Sequence, residues 1–189
     1  RTHPAVAVRI ARGDLRLHGW VYDIAEGEVL AYDEANNCFE PVSKRYAAEV
    51  ATRYFDLALA HGTTSMCSYA TIHPASVDAF FDQAQARGLR AFAGKTCMDR
   101  NAPEGLRDTA QSAYDDSKAL LTKWHGQDRL SYVITPRFSP TSTPEQLAAM
   151  GALWREHPDC LMQTHLSEQT DEIAWVKELF PQSPDYLDT

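Results

Sequence analysis

Leu130-Ser131-Tyr132-Val133-Ile134-Thr135, then Thr143-Pro144-Glu145-Gln146, then Cys160-Leu161-Met162-Gln163-Thr164-His165-Leu166 decide how this chain is read. The first and last are short apolar runs of strand character. Between them Thr143 stands as a helix cap, Pro144 at the first helical position and Gln146 where a capping box places its second partner. The pattern predicts a strand over 130–135, a helix to about Glu156 and a strand over 160–166. A strand–helix–strand unit of this length makes a parallel pair with the helix laid across it.

The same grammar extends outward from this unit. Thr170 to Phe180 reads as a helix. On the other side, Ser43 can cap a helix whose face at helical spacing is Tyr46, Val50, Tyr54 and Leu57, with Gly62 as its stop. Thr63 to Ile72 reads as a strand. Pro74 opens a helix with an apolar stripe of Val77, Phe80, Phe81 and Ala84, ended by Gly88. Leu89 to Met98 is the next strand and roughly Leu106 to His125 a long helix. Residues 43–189 therefore read as about four βα units of a parallel α/β fold. Either a doubly wound sheet or an arc of a (β/α)8 TIM-type barrel fits. A closed barrel typically takes ~250 residues, so four strands give a partial one.

Residues 1–42 follow another grammar. Leu15 to Ile24 is rich in β-formers, Glu26-Gly27-Glu28 is a turn signal, and Val29 to Asp33 is the return strand of a hairpin. Asn36-Asn37 marks another turn before Phe39 to Val42. The expected organisation is a β-hairpin segment of different origin over 1–42, joined to the partial barrel over 43–189.

Composition excludes several classes of function. The chain has 189 residues, 44% hydrophobic and 23% charged, with a net charge of -8. An acidic chain has no basic field to hold nucleic acid or an anionic membrane surface. No apolar run reaches the length of a membrane span. The four cysteines, Cys38, Cys67, Cys97 and Cys160, have no CxxC spacing, and they read as reduced thiols of a cytoplasmic protein. The first residue is Arg1 rather than Met, which suggests that the true N-terminus lies upstream.

In a parallel α/β sheet chemistry sits at the C-terminal ends of the strands. His165 ends one strand and Glu168 follows on its loop. A neutral imidazole ligates zinc, and a carboxylate beside a metal-bound water can take its proton and pass it to a leaving group. The pair reads equally as a hydrogen-bonded structural histidine and a solvated glutamate. Arg137 and Phe138 end the preceding strand between Pro136 and Pro140. A guanidinium fork and a flat ring suit a planar heterocycle; a surface ion pair and a core aromatic are the alternative. Lys95 and Met98-Asp99-Arg100-Asn101 read as a salt-bridged loop. His73 could reach the same rim but reads better as a helix-start residue. His61, His125 and His157 lie at helix ends, where they complement the dipole. The chain has no Walker or Rossmann glycine loop, no GxSxG and no HExxH.

From about Ser43 onward the chain resembles the guanine deaminases of the amidohydrolase superfamily. The resemblance is carried by His61-Gly62-Thr63-Thr64-Ser65, by Thr71-Ile72-His73-Pro74-Ala75-Ser76-Val77-Asp78 and by Met98-Asp99-Arg100-Asn101-Ala102-Pro103. It continues through Thr135-Pro136-Arg137-Phe138-Ser139-Pro140 and Gln163-Thr164-His165-Leu166-Ser167-Glu168. The resemblance implies His165 as a zinc ligand, Glu168 as a proton shuttle, Arg137 and Phe138 as holders of guanine, and conversion of guanine to xanthine and ammonia. It also implies a His-x-His pair and later ligands, and this chain contains no His-x-His. The expectation is an incomplete deaminase with a Zn2+ site it cannot finish alone. A catalytically dead remnant and a deaminase of a related aminopurine or aminopyrimidine are the competing readings. Open strand edges would favour poor solubility or a homo-oligomer. Residues 17–24 and 27–32 more weakly resemble the C-terminal tail of bacterial β-carbonic anhydrases.

Overall fold

The computed structural model describes residues 20–23, 28–33, 38–41 and 44–189. The chain divides into two compact units, Arg1–Ser43 and Lys44–Thr189. In the smaller unit β1 (Trp20–Asp23), β2 (Glu28–Asp33) and β3 (Cys38–Pro41) form an antiparallel sheet in that order. Trp20 pairs with Ala31 and Leu30 with Pro41. The hairpin is thus extended by a third strand. The turns anticipated at residues 26–28 and 36–37 lie largely or wholly outside the described residues.

The larger unit runs α1 (Lys44–Ala60), β4 (Ser65–Tyr69), α2 (Pro74–Ala86), β5 (Arg90–Gly94), β6 (Thr96–Cys97), α3 (Ala110–Trp124), β7 (Leu130–Pro136), α4 (Pro144–Glu156), β8 (Leu161–Met162) and α5 (Thr170–Leu179). Every pairing in it is parallel. The neighbours follow chain order: β4 beside β5, β5 and β6 along β7, β7 beside β8. β5 and β6 are one strand interrupted at Lys95, since Ala91 pairs with Leu130 and Thr96 with Thr135 in the same register. A sheet that adds each strand on the same side is the winding of a barrel arc, not of a doubly wound sheet.

Curvature is visible in side-chain reach. Gln163, just after β8, donates from Nε2 to Ser68 O at 3.2 Å and accepts from Cys67 Sγ at 3.1 Å on β4. In a flat sheet those strands would stand about 14 Å apart, three strand spacings. One glutamine closes the gap only because the sheet curls.

The convex face is covered by helices. Ala91 and Ala93 of β5 and Tyr132 and Ile134 of β7 point into this core, all fully buried. α2 supplies Val77, Phe80, Phe81 and Ala84, the stripe the sequence predicts. Its stop is also as expected: Arg87 is the C-cap and Gly88 has φ +63°. Thr143 caps α4 by accepting from Gln146 N–H.

Three local expectations need correction. α1 buries Ala51 and Phe55, while Val50 is 42%, Tyr54 41% and Leu57 62% exposed. The sheet and α2 engage the adjacent face, where Phe55 meets Phe80 at 4.8 Å between ring centroids. Two neighbouring apolar stripes satisfied the helical period, and packing selected the other. Gln146 does not close a capping box; its Nε2 donates to Asp108 Oδ1 at 2.7 Å and the residue is fully buried. The long helix begins at Ala110, because 104–106 form a separate 3₁₀ turn and Thr109 with Ser112 makes the capping box.

Candidate active site

Alternation along the strands decides what faces the concave side. Cys67 and Tyr69 of β4, Thr135 and Arg137 along β7, and Gln163 and His165 after β8 occupy alternate positions. Gln163 bonds to β4 backbone and to Thr135 Oγ1 at 3.1 Å. Two residues further on, the His165 ring lies 4.4 Å from that of Tyr69. Gln163 and His165 are thus successive rungs across the arc, with the second at its C-terminal rim.

Gly94 makes the close approach inside the arc feasible. A Cβ on it would fall 1.8 Å from Val133 O and 2.3 Å from Thr135 Oγ1.

Arg137 and His165 are joined through backbone. Arg137 N–H donates to Cys97 O at 3.0 Å. The Arg137 carbonyl accepts from His165 N–H at 2.9 Å, from His165 Nδ1 at 2.9 Å and from Thr164 Oγ1 at 3.2 Å. A carbonyl only accepts, so Nδ1 carries the proton and neutral His165 keeps its lone pair on Nε2.

The Arg137 guanidinium lies over the Phe138 ring, with Cζ 4.8 Å from its centroid, and Nη1 approaches Met98 Sδ at 3.9 Å. No carboxylate among the described residues pairs with it. Phe138 is half-buried and 6.3 Å from the His165 ring. One face of Phe138 is therefore occupied by its own neighbour rather than open for stacking.

Glu168 follows Ser167, whose φ of +53° turns the loop, and its side chain is exposed. Burial, then the charges of Cys67 and Glu168, raise the Tyr69 phenol. Burial, the bond to Glu172 and the charges of Glu172 and Glu168 likewise raise that of Tyr186. Of the four predicted site residues, Arg137, Phe138 and His165 meet directly. Glu168 meets none of them; its charge reaches Tyr69, whose ring packs against that of His165, and Tyr186.

The sequence reading missed Tyr69 and Gln163 as members of this rim. Their signal was positional: each shares a strand face with a residue two places away. Lys95 is not at the rim. It is fully buried on the helix side, paired with Asp108 and 3.9 Å from Asp116. His61 Nδ1 bonds to Leu57 O at 2.8 Å, His73 is the N-cap residue of α2, and His125 reaches Asp159 at 3.3 Å.

The free Nε2 of His165, with Nδ1 held by a carbonyl, is the arrangement of a metal-ligating imidazole. Among the described residues, however, no three His, Cys, Asp or Glu side chains converge. Catalytic zinc takes about three protein ligands, so the residues present do not form a zinc site by themselves.

The amidohydrolase family model matches residues 6–189. The chain belongs to the amidohydrolase family. Within it, the chain is 44% identical to the guanine deaminase of Escherichia coli K12 over 97% of its length, and spans 45% of that relative. A solved E. coli guanine deaminase superposes with a TM-score of 0.77 at 49% identity, over 77% of this chain and 34% of that one. A guanine deaminase from C. acetobutylicum with bound guanine gives 0.73 at 31% identity, over 77% and 35%. The chain thus covers less than half of the relatives it matches, and its amidohydrolase match begins within the smaller unit.

Proposed function

We propose that this chain carries part of the active site of a guanine deaminase, which hydrolyses guanine to xanthine and ammonia. The observation that supports this most is the joint position of Arg137, Phe138 and His165 on one rim, in an amidohydrolase 44% identical to a guanine deaminase. Arg137, free of any described carboxylate, donates to a purine carbonyl or ring nitrogen, and the Phe138 ring lines the same wall. Glu168 takes a proton from the attacking water and delivers it to the amino group that leaves as ammonia. Zinc is the cofactor of this reading, with His165 Nε2 as the single ligand the described residues supply.

A second reading, a catalytically dead remnant, is favoured by that single ligand. Metal analysis by mass spectrometry with a guanine-to-xanthine absorbance assay tests the dead-remnant reading. The 189-residue chain alone is expected to hold far less than one zinc and to show no turnover; stoichiometric zinc with turnover would reject the dead-remnant reading. A deaminase of another aminopurine or aminopyrimidine would turn over its own substrate in preference to guanine. In a complete enzyme carrying these residues, His165→Ala and Glu168→Ala should each lower kcat by at least ~100-fold. Arg137→Ala should raise KM for guanine, and unchanged guanine kinetics would remove Arg137 from the pocket.

The expected partner is a small purine rather than nucleic acid or a membrane. Free Cys67, Cys97 and Cys160 suit a reducing cytoplasm, and no described helix is long and apolar enough to cross a membrane. For residues 1–42, the separate origin and the carbonic anhydrase resemblance compete with a family match that starts at residue 6. The sequence of the intact gene decides between them.

A further inference from the structure

The chain beyond the Arg137 carbonyl runs into a turn gripped by groups that touch neither the His165 ring nor the Arg137 guanidinium. The 3₁₀ turn Ser139–Thr141 follows directly after Phe138. The loop after β6 grips this turn from the other side. Asp99 N–H and Arg100 N–H donate to Thr141 O at 3.0 and 3.3 Å. Arg100 Nη2 donates to Ser139 O at 2.9 Å, and Asn101 Nδ2 to Pro140 O at 2.7 Å. The Asp99 carboxylate accepts from Thr143 N–H at 2.7 Å and from Thr143 Oγ1 at 2.5 Å.

The Thr143 hydroxyl has one proton. Given to Asp99, it leaves a lone pair for the Gln146 N–H, 3.2 Å away, at the start of α4. The Asp99 backbone N–H thus bonds the turn and its carboxylate bonds the entry to α4, while the turn itself joins the exit from β7 through Thr141 N–H to Phe138 O. That exit is the Arg137 carbonyl, which takes both the backbone N–H and the Nδ1 proton of His165.

We infer that Asp99, acting through Thr143 and the Ser139–Thr141 turn, is a positioning residue that holds His165 in the tautomer with Nε2 unprotonated. The inference deepens the reading of His165 as a functional imidazole. Its test does not use turnover, so it can fail while the deaminase reading stands, and the reverse.

The test is a long-range proton–nitrogen correlation spectrum of the ¹⁵N-histidine-labelled chain, recorded at a pH where the spectrum itself shows the rings uncharged. His61 is the internal reference, because its Nδ1 also bonds to a carbonyl but lies far along the chain from the clamp. In the parent chain His165 should show the pattern of a single Nδ1–H tautomer. In Asp99→Asn and in Thr143→Val its two nitrogen shifts should move toward the averaged values of an exchanging imidazole. His61 should not move, and Thr143→Ser, which keeps the hydroxyl, should retain the parent pattern. Far-UV circular dichroism confirms that each variant folds, and two chemically different variants guard against one failing to do so. An unshifted His165 in folded Asp99→Asn or Thr143→Val overturns the inference, as does equal movement of His61.

Discussion

At the scale of single residues, burial decides which groups respond to pH. Burial pushes the Cys97 thiol up from 9.0 to about 11, and burial with the charge of Asp159 does the same for Cys160. Native thiols thus stay protonated where unfolded ones ionise. Between pH 9 and 11 the unfolded chain binds fewer protons than the native one, so stability falls as pH rises through that window. Cys97 alone should account for a loss on the order of 2–3 kcal/mol. Urea midpoints at pH 8.5 and 10.5 check this, and Cys97→Ala should flatten the decline. Gly94 gives a steric prediction: Gly94→Ala places a methyl on Val133 O and should destabilise by about 3 kcal/mol or more, read in the same titration. Neither Cys97 nor Gly94 advertised its role locally, since both depend on what the neighbouring strand brings near.

At the scale of elements, local chemistry and packing divide the explanation. The stop at Gly88, the cap at Thr143 and the stripe of α2 were legible because each rests on residues within a turn or two of one another. The start of α3 rests on Thr109, whose side chain accepts from Ser112 N–H while Ser112 reaches back to the cap. Thr109→Ala should therefore cost about 1 kcal/mol, measurable as a lower thermal midpoint. The face of α1 and the fate of Gln146 were not legible. Val50, Tyr54 and Leu57 match the helical period as well as Ala51 and Phe55 do, and only α2 against that helix selects between them. Gln146 met Asp108, thirty-eight positions away in sequence, whose carboxyl burial raises against the pull of Lys95.

At the scale of the whole molecule, open edges matter. Among the described strands β4 pairs only with β5 and β8 only with β7. Leu161 and Leu166 beside the β8 edge, and Ile173 and Trp175 on α5, are exposed. Such an edge invites association. Size-exclusion chromatography with light scattering should show mass rising with protein concentration, and Leu161→Lys should reduce that rise. A sharp monomeric peak with cooperative melting would count against it.

The sequence by itself determined the alternation of strands and helices, the helix stops, and the place of Arg137 and Phe138 directly after a strand; the strand expected over 160–166 is only Leu161–Met162, so His165 and Glu168 lie on the loop after it. The features it determined follow from periodicity and from turn and cap chemistry, which act over a few residues. Tertiary structure alone decided that the sheet curls into an arc, that Gln163 and His165 reach across it to Cys67 and Tyr69, and that the Arg137 carbonyl sets the His165 tautomer. Those contacts join residues up to 96 positions apart, and no local pattern encodes which of many compatible partners the closed packing will bring together.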